Sequence, residues 1–119
     1  EHRNSPTEEW SPKYRFGMTE FTAQDFGVMN YATSSRRTCI FTYMVIASKM
    51  IFDETVGDIV GAMTLSGPTV KKRLHKNSEV VVECATEEER VRALKEHFGI
   101  TLSSKEQAGI KGTVTELKV

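Results

Sequence analysis

"LSGPTVKKRL", residues 65–74, is the stretch on which the reading of the fold turns. Ser66, Gly67 and Pro68 announce the entry to a helix: a Ser hydroxyl can accept from a free first-turn N–H, and Pro loses nothing at the first helical position. Lys71, Lys72 and Arg73 then fall on that helix and not in a loop. Just upstream, "DETVGDIVGAM" (53–63) offers Thr55 and Asp58 as a cap pair, with Val56, Ile59, Val60 and Met63 on one face. A short amphipathic helix is expected there, ending before Thr64.

Further out, "RRTCIFTYMVIASKMIF" (36–52) is apolar nearly all round. Its β-branched content allows a strand, but its length favours a central buried helix. Before it, Thr22 and Asp25 resemble a capping box and Phe21 with Phe26 fits the flanking staple, so a helix is predicted over roughly 23–33. Residues 1–17 mix charges, Pro6, Pro12 and Gly17 around Trp10, Tyr14 and Phe16, which reads as an arm preceding a single domain over 18–119. After the basic helix, "SEVVVECA" (78–85) reads as a buried strand. "TEEERVRALKEHFG" (86–99) shows Thr86 at an N-cap, anions in the first turn and Gly99 as the stop. A polar loop to about 109 and a last strand complete the chain. The expected fold class is α+β, with a helix-turn-helix core of three to four helices followed by a strand-helix-strand unit.

The stretch from Val56 to His75 resembles the helix-turn-helix unit of winged-helix transcription regulators of the MarR type. Two short helices crossing closely need apolar residues at the fourth, eighth, tenth and fifteenth places, here Ile59, Met63, Leu65 and Val70. The resemblance implies a recognition helix presenting Ser66, Gly67, Pro68, Thr69, Lys71, Lys72, His75 and Lys76 to nucleic acid, most simply DNA, in transcription or replication control. Arg36 and Arg37 would supply a secondary phosphate contact. A homodimer or larger assembly would add affinity that a few cations on one monomer lack.

Composition bounds these expectations. In 119 residues, Lys plus Arg and Asp plus Glu both number 16, so any basic surface must be local. No window reaches the roughly 18 apolar residues of a membrane span. Cys39 and Cys84 lie far apart in apolar strings, which suits reduced core thiols and an intracellular setting. The N-terminus, without Met or targeting signature, reads as the start of a fragment. No CxxC or HxxxH spacing offers a metal site, no glycine-rich loop follows a strand, and Cys84 with His97 reads as a buried thiol beside a helix and not a catalytic pair. Neither cofactor nor metal nor enzymatic activity is expected. The alternative is a winged-helix-like adaptor docking on another protein, favoured by zero net charge, the aromatic arm and the acidic residues 87–89.

Overall fold

The computed structural model describes residues 1, 3, 7–75 and 77–118. Their order is α1 (Ala23–Ser35), α2 (Ile40–Tyr43), β1 (Ile46–Asp53), β2 (Asp58–Ser66), β3 (Thr69–Leu74), β4 (Asn77–Glu83), α3 (Glu87–Ala93), continued by a π-helical turn Leu94–Phe98, and α4 (Ser104–Ala108). The centre is an antiparallel meander in the order β1-β2-β3-β4. It replaces the expected helix-turn-helix core: both helices of that unit are strands, and the expected central helix is α2 in its first half and β1 from Ile46 on.

The turn chemistry explains the difference. Ser66 pairs with Thr69, so Gly67 and Pro68 form a two-residue hairpin loop, and Gly67 takes φ +59°. Glycine at the first central position of a tight hairpin supplies that positive φ without a Cβ clash. The same Ser-Gly-Pro run that can open a helix therefore closes a hairpin. At the other end, Asp53 accepts from the Thr55 amide at 2.8 Å, and Gly57, at φ +71°, donates to the Asp53 carbonyl at 2.8 Å. Thr55 thus sits in the β1–β2 turn and caps no helix.

Alternation along the strands separates two faces. Ala47, Leu65, Val70 and Val82 are register partners on one of them. Against it pack Ala93 and Leu94, with Phe98, Leu102 and Leu117 around the edge. Leu65 and Val70 are fully enclosed there. The opposite face carries Ile46, Met50 and Val80, all exposed, with Ala62 buried beside Met50, and among the described residues no helix packs closely on it. Extra residues at Val60 and Val81 shift the register between Ile51 and Phe52 and between Val70 and Lys71. Such bulges sharpen the twist of a sheet.

Gly61 is a close-approach position: a Cβ there would run into the Arg73 carbonyl oxygen and lie 2.9 Å from Leu74 Cδ2. Gly61→Ala is expected to cost about 1–3 kcal/mol by forcing β2 and β3 apart. A urea titration of the two proteins measures it; equal midpoints would show that the strands do not approach there.

Two segments keep their predicted character. Around α1, Thr22 and Asp25 form the capping box and the Phe21 and Phe26 rings lie edge-on at 6.0 Å. Before α3, the Thr86 hydroxyl accepts from the Glu89 amide at 3.2 Å, while Gly99 closes the helical segment at φ +74°. The predicted last strand is absent among the described residues, where 109–116 form successive turns. α1 buries none of its residues, and with the arm it extends the radius of gyration to 17.6 Å. A compact chain of this length would have about 13–14 Å.

Candidate functional site

Three features of the sheet domain can carry chemistry: a buried ion pair, a cleft beside it, and the uncovered sheet face. The ion pair grows from α3. Its first turn aims Glu87 at Arg90 one turn on, and Arg90 is only 2% exposed. The guanidinium donates from Nε to Glu87 Oε2 at 3.1 Å and from Nη2 to Glu87 Oε1. Nη2 also donates to the Thr115 carbonyl at 2.9 Å, and Nη1 reaches the Gly67 carbonyl at 3.5 Å. Glu87 Oε1 accepts in addition from the Leu117 amide at 2.7 Å. One buried charge is thus satisfied on every side, as a buried guanidinium requires. It ties the β2–β3 turn, α3 and the C-terminal turns together.

Beside this pair lies a cleft of about 480 Å3 between α3 and residues 102–117. Val45, Val91, Leu94 and Ile110 give it an apolar floor, and Glu88, Glu106 and Lys111 stand at its rim. Glu106 is already engaged: it accepts from the Ser103 amide and hydroxyl, each at 2.7 Å, and these bonds hold its carboxyl below the ordinary range.

The residues singled out as a recognition surface do not share one face. Gly67 and Pro68 are in the hairpin loop, with Ser66 and Thr69 as the flanking pair. Thr69 donates from its hydroxyl to Glu83 Oε1 at 3.0 Å. Lys71 is on the uncovered face and exposed, whereas Lys72 is half-buried on the face toward α3. His75 occupies the β3–β4 turn at φ +51°, and Lys76 lies outside the described residues. Arg36 and Arg37 follow α1, away from the hairpin in sequence and on a separate exposed segment. Sequence reasoning missed Arg73, which shares its face with Lys71, and the Arg90–Glu87 hub. The alternation of Lys71 and Arg73 was the available signal for the first; the i, i+3 spacing of Glu87 and Arg90 was the signal for the second.

Cys84 follows β4, buried, its amide donating to the Pro68 carbonyl at 2.8 Å. Burial pushes its thiol up, with the Glu89 carboxylate adding to the effect. A thiol acting as nucleophile needs the opposite shift. Because the folded-state value is raised, the thiol's contribution to stability is complete below the ordinary thiol range and is lost as pH rises through the raised value. Native protein should therefore react slowly with a bulky thiol reagent at Cys84 around neutrality, and quickly after denaturation. Native labelling at the denatured rate would contradict the burial.

The sequence profile of the N-acetyltransferase family matches residues 2–107, and the chain belongs to that family. It is 42% identical over 104 residues to the N-malonyltransferase FDB2 of Fusarium pseudograminearum, covering 87% of this chain and 30% of the relative. With the N-malonyltransferase FDB2 of Gibberella moniliformis it shares 39% over 98 residues, 82% of this chain and 28% of the relative. The chain thus spans less than a third of the length of these relatives. Membership in a family of acyl-transferring enzymes overturns the expectations of a winged-helix regulator, of DNA as partner, of a transcriptional or adaptor role and of a chain without enzymatic character. Among the described residues, no helix is long and apolar enough to cross a membrane.

Proposed function

We propose that this chain forms part of an enzyme that transfers an acyl group to an amine nitrogen, and that the acyl group is malonyl. The observation that carries the reading is the 42% identity to an N-malonyltransferase along 104 residues, which takes in the whole sheet, α3 and the helical turn after it. In such a transfer the amide C–N bond forms as the bond between acyl carbon and donor breaks, and the amine's proton leaves with the departing donor group. The malonyl carboxylate passes through unchanged. The part assigned to this chain is a rigid sheet stapled by Arg90, with one face closed by α3 and the other presented outward. Two free thiols, one of them buried, suit a reducing intracellular compartment.

Incubating the enzyme that carries this chain with a panel of primary amines, aromatic and aliphatic, and an activated malonyl thioester should yield an N-malonyl amide at a rate proportional to enzyme. Amine consumption no faster than in buffer, with malonyl and acetyl thioesters alike, would end the reading.

A further inference from the structure

Malonyl differs from acetyl by a free carboxylate, and an enzyme that handles the first must give that anion a partner. Carboxylate selection in a site shielded from water calls for a cation with unengaged donors, best a guanidinium whose fork matches two oxygens. Arg90 cannot serve, because it is enclosed and its donors are directed to Glu87, Gly67 and Thr115. Lys111 lines the cleft together with Glu88, Glu106 and Glu116, where carboxylates already outnumber it.

The uncovered face of the sheet is different. There Lys71 lies between Thr64 and Val80, and Arg73 between Ala62 and Ser78. On β1 the same rows end in Ser48 and Met50. Two cations two residues apart on one strand have hydroxyls at cross-strand positions and no carboxylate in either row; by register the neighbouring carboxylate on this face is Glu83, one row on and accepting from the Thr69 hydroxyl, so two positive charges face one engaged carboxylate. The face around them exposes Met50 at 60% and Val80 at 58%. Apolar surface of this kind next to cations is suited to be covered by the larger part of the fold that the relatives possess. Once covered, the cations need an anion, because a charge removed from water without one is costly.

We propose that Arg73 and Lys71 bind the free carboxylate of the malonyl group and so set the preference for malonyl over acetyl, an assignment that rests on the acyl-transfer reading above. Arg73 holds the carboxylate through its fork, and Lys71 adds a second positive charge beside it. Lys72, between them in sequence, takes no part because it faces α3.

The test compares malonyl with acetyl transfer, as the ratio of kcat/KM for the two thioesters, in the intact enzyme and in Arg73→Gln, Lys71→Gln, Arg73→Lys and Lys72→Gln. A lost charge-assisted hydrogen bond corresponds to roughly a 10- to 100-fold change. Arg73→Gln should therefore lower the ratio by about that factor through KM for malonyl. Lys71→Gln should lower it less, Arg73→Lys should restore part of it, and Lys72→Gln should leave it unchanged. Free malonate should inhibit the intact enzyme in competition with the donor and lose potency in Arg73→Gln. Equal loss with both thioesters in Arg73→Gln would show that the cation instead pairs with a carboxylate of the enzyme or with the donor's carrier. An unchanged ratio would show that it binds nothing in the reaction, and either result overturns the proposal. An intact enzyme that transfers neither group overturns the acyl-transfer reading itself, and this inference with it.

Discussion

Val70→Asp should abolish cooperative unfolding of the sheet. Val70 is fully enclosed in β3, opposite Leu65 on one side and Val82 on the other, and packed in the cluster that includes Ala93 and Leu94. A carboxylate there has no partner within the core, and burying an unpaired charge costs several kcal/mol even after its pKa rises to neutralise it. That is a large share of the total stability of a domain this small. A circular-dichroism melt should lose its transition. A transition at the wild-type temperature would place Val70 outside the core and contradict the sheet-on-helix arrangement.

The second large effect is expected at Arg90. Arg90→Ala leaves the Glu87 carboxylate without its guanidinium and strips the Thr115 and Gly67 carbonyls of a donor. Breaking a buried pair by removing one partner costs about 3–5 kcal/mol. Arg90→Met with Glu87→Leu should destabilise less than Arg90→Ala despite changing two residues, since no charge is then left uncompensated. Hydrogen exchange should locate the damage: amides near Thr115 and Leu117 lose protection before those of β2 and β3. Uniform loss across the sheet, or none at the C-terminal turns, would show that the pair does not hold that segment.

The helix starts were legible because they are local. Thr22 with Asp25 and Thr86 with Glu89 satisfy first-turn amides within three residues, so no distant contact can change their meaning. The valine run was legible as a strand from its β-branched content, but not as a buried one: β4 leaves Val80 and Val81 exposed. The hairpin was not, because Ser66-Gly67-Pro68 serves equally as a helix entry and a tight turn, and only the pairing of Leu65 with Val70 decides between them. The helix-turn-helix pattern was misleading because Leu65 and Val70 are core positions in either architecture. Ile59 carries the discrepancy: the unit requires it inside, and it is 56% exposed. Residues 46–52, the second half of the expected 36–52 helix, read as helix because both faces of β1 carry apolar side chains, Met50 and Phe52 on the uncovered face and Ala47 and Ile51 on the other. Alternation is erased when a sheet expects cover on both sides.

The same geometry reorders the cations. On a helix, Lys71 and Lys72 would share an outer surface and Arg73 would intrude on the core. On a strand, Lys71 and Arg73 share a face and Lys72 turns to the other. No sequence pattern announced an acyltransferase: the stretch holds no recognisable nucleophile motif, and its Cys84 is buried. The chemistry became visible only through likeness to relatives more than three times as long as the matched stretch.

A one-tube competition decides whether the transferred acyl group is malonyl. The enzyme carrying this chain is given a mixture of aromatic and aliphatic primary amines with equal amounts of malonyl and acetyl thioester, and the N-malonyl and N-acetyl amides are counted by mass spectrometry. N-malonyl amide is expected in large excess, formed only with active enzyme. An excess of N-acetyl amide would contradict the malonyl assignment, and the absence of both amides would contradict acyl transfer to nitrogen altogether.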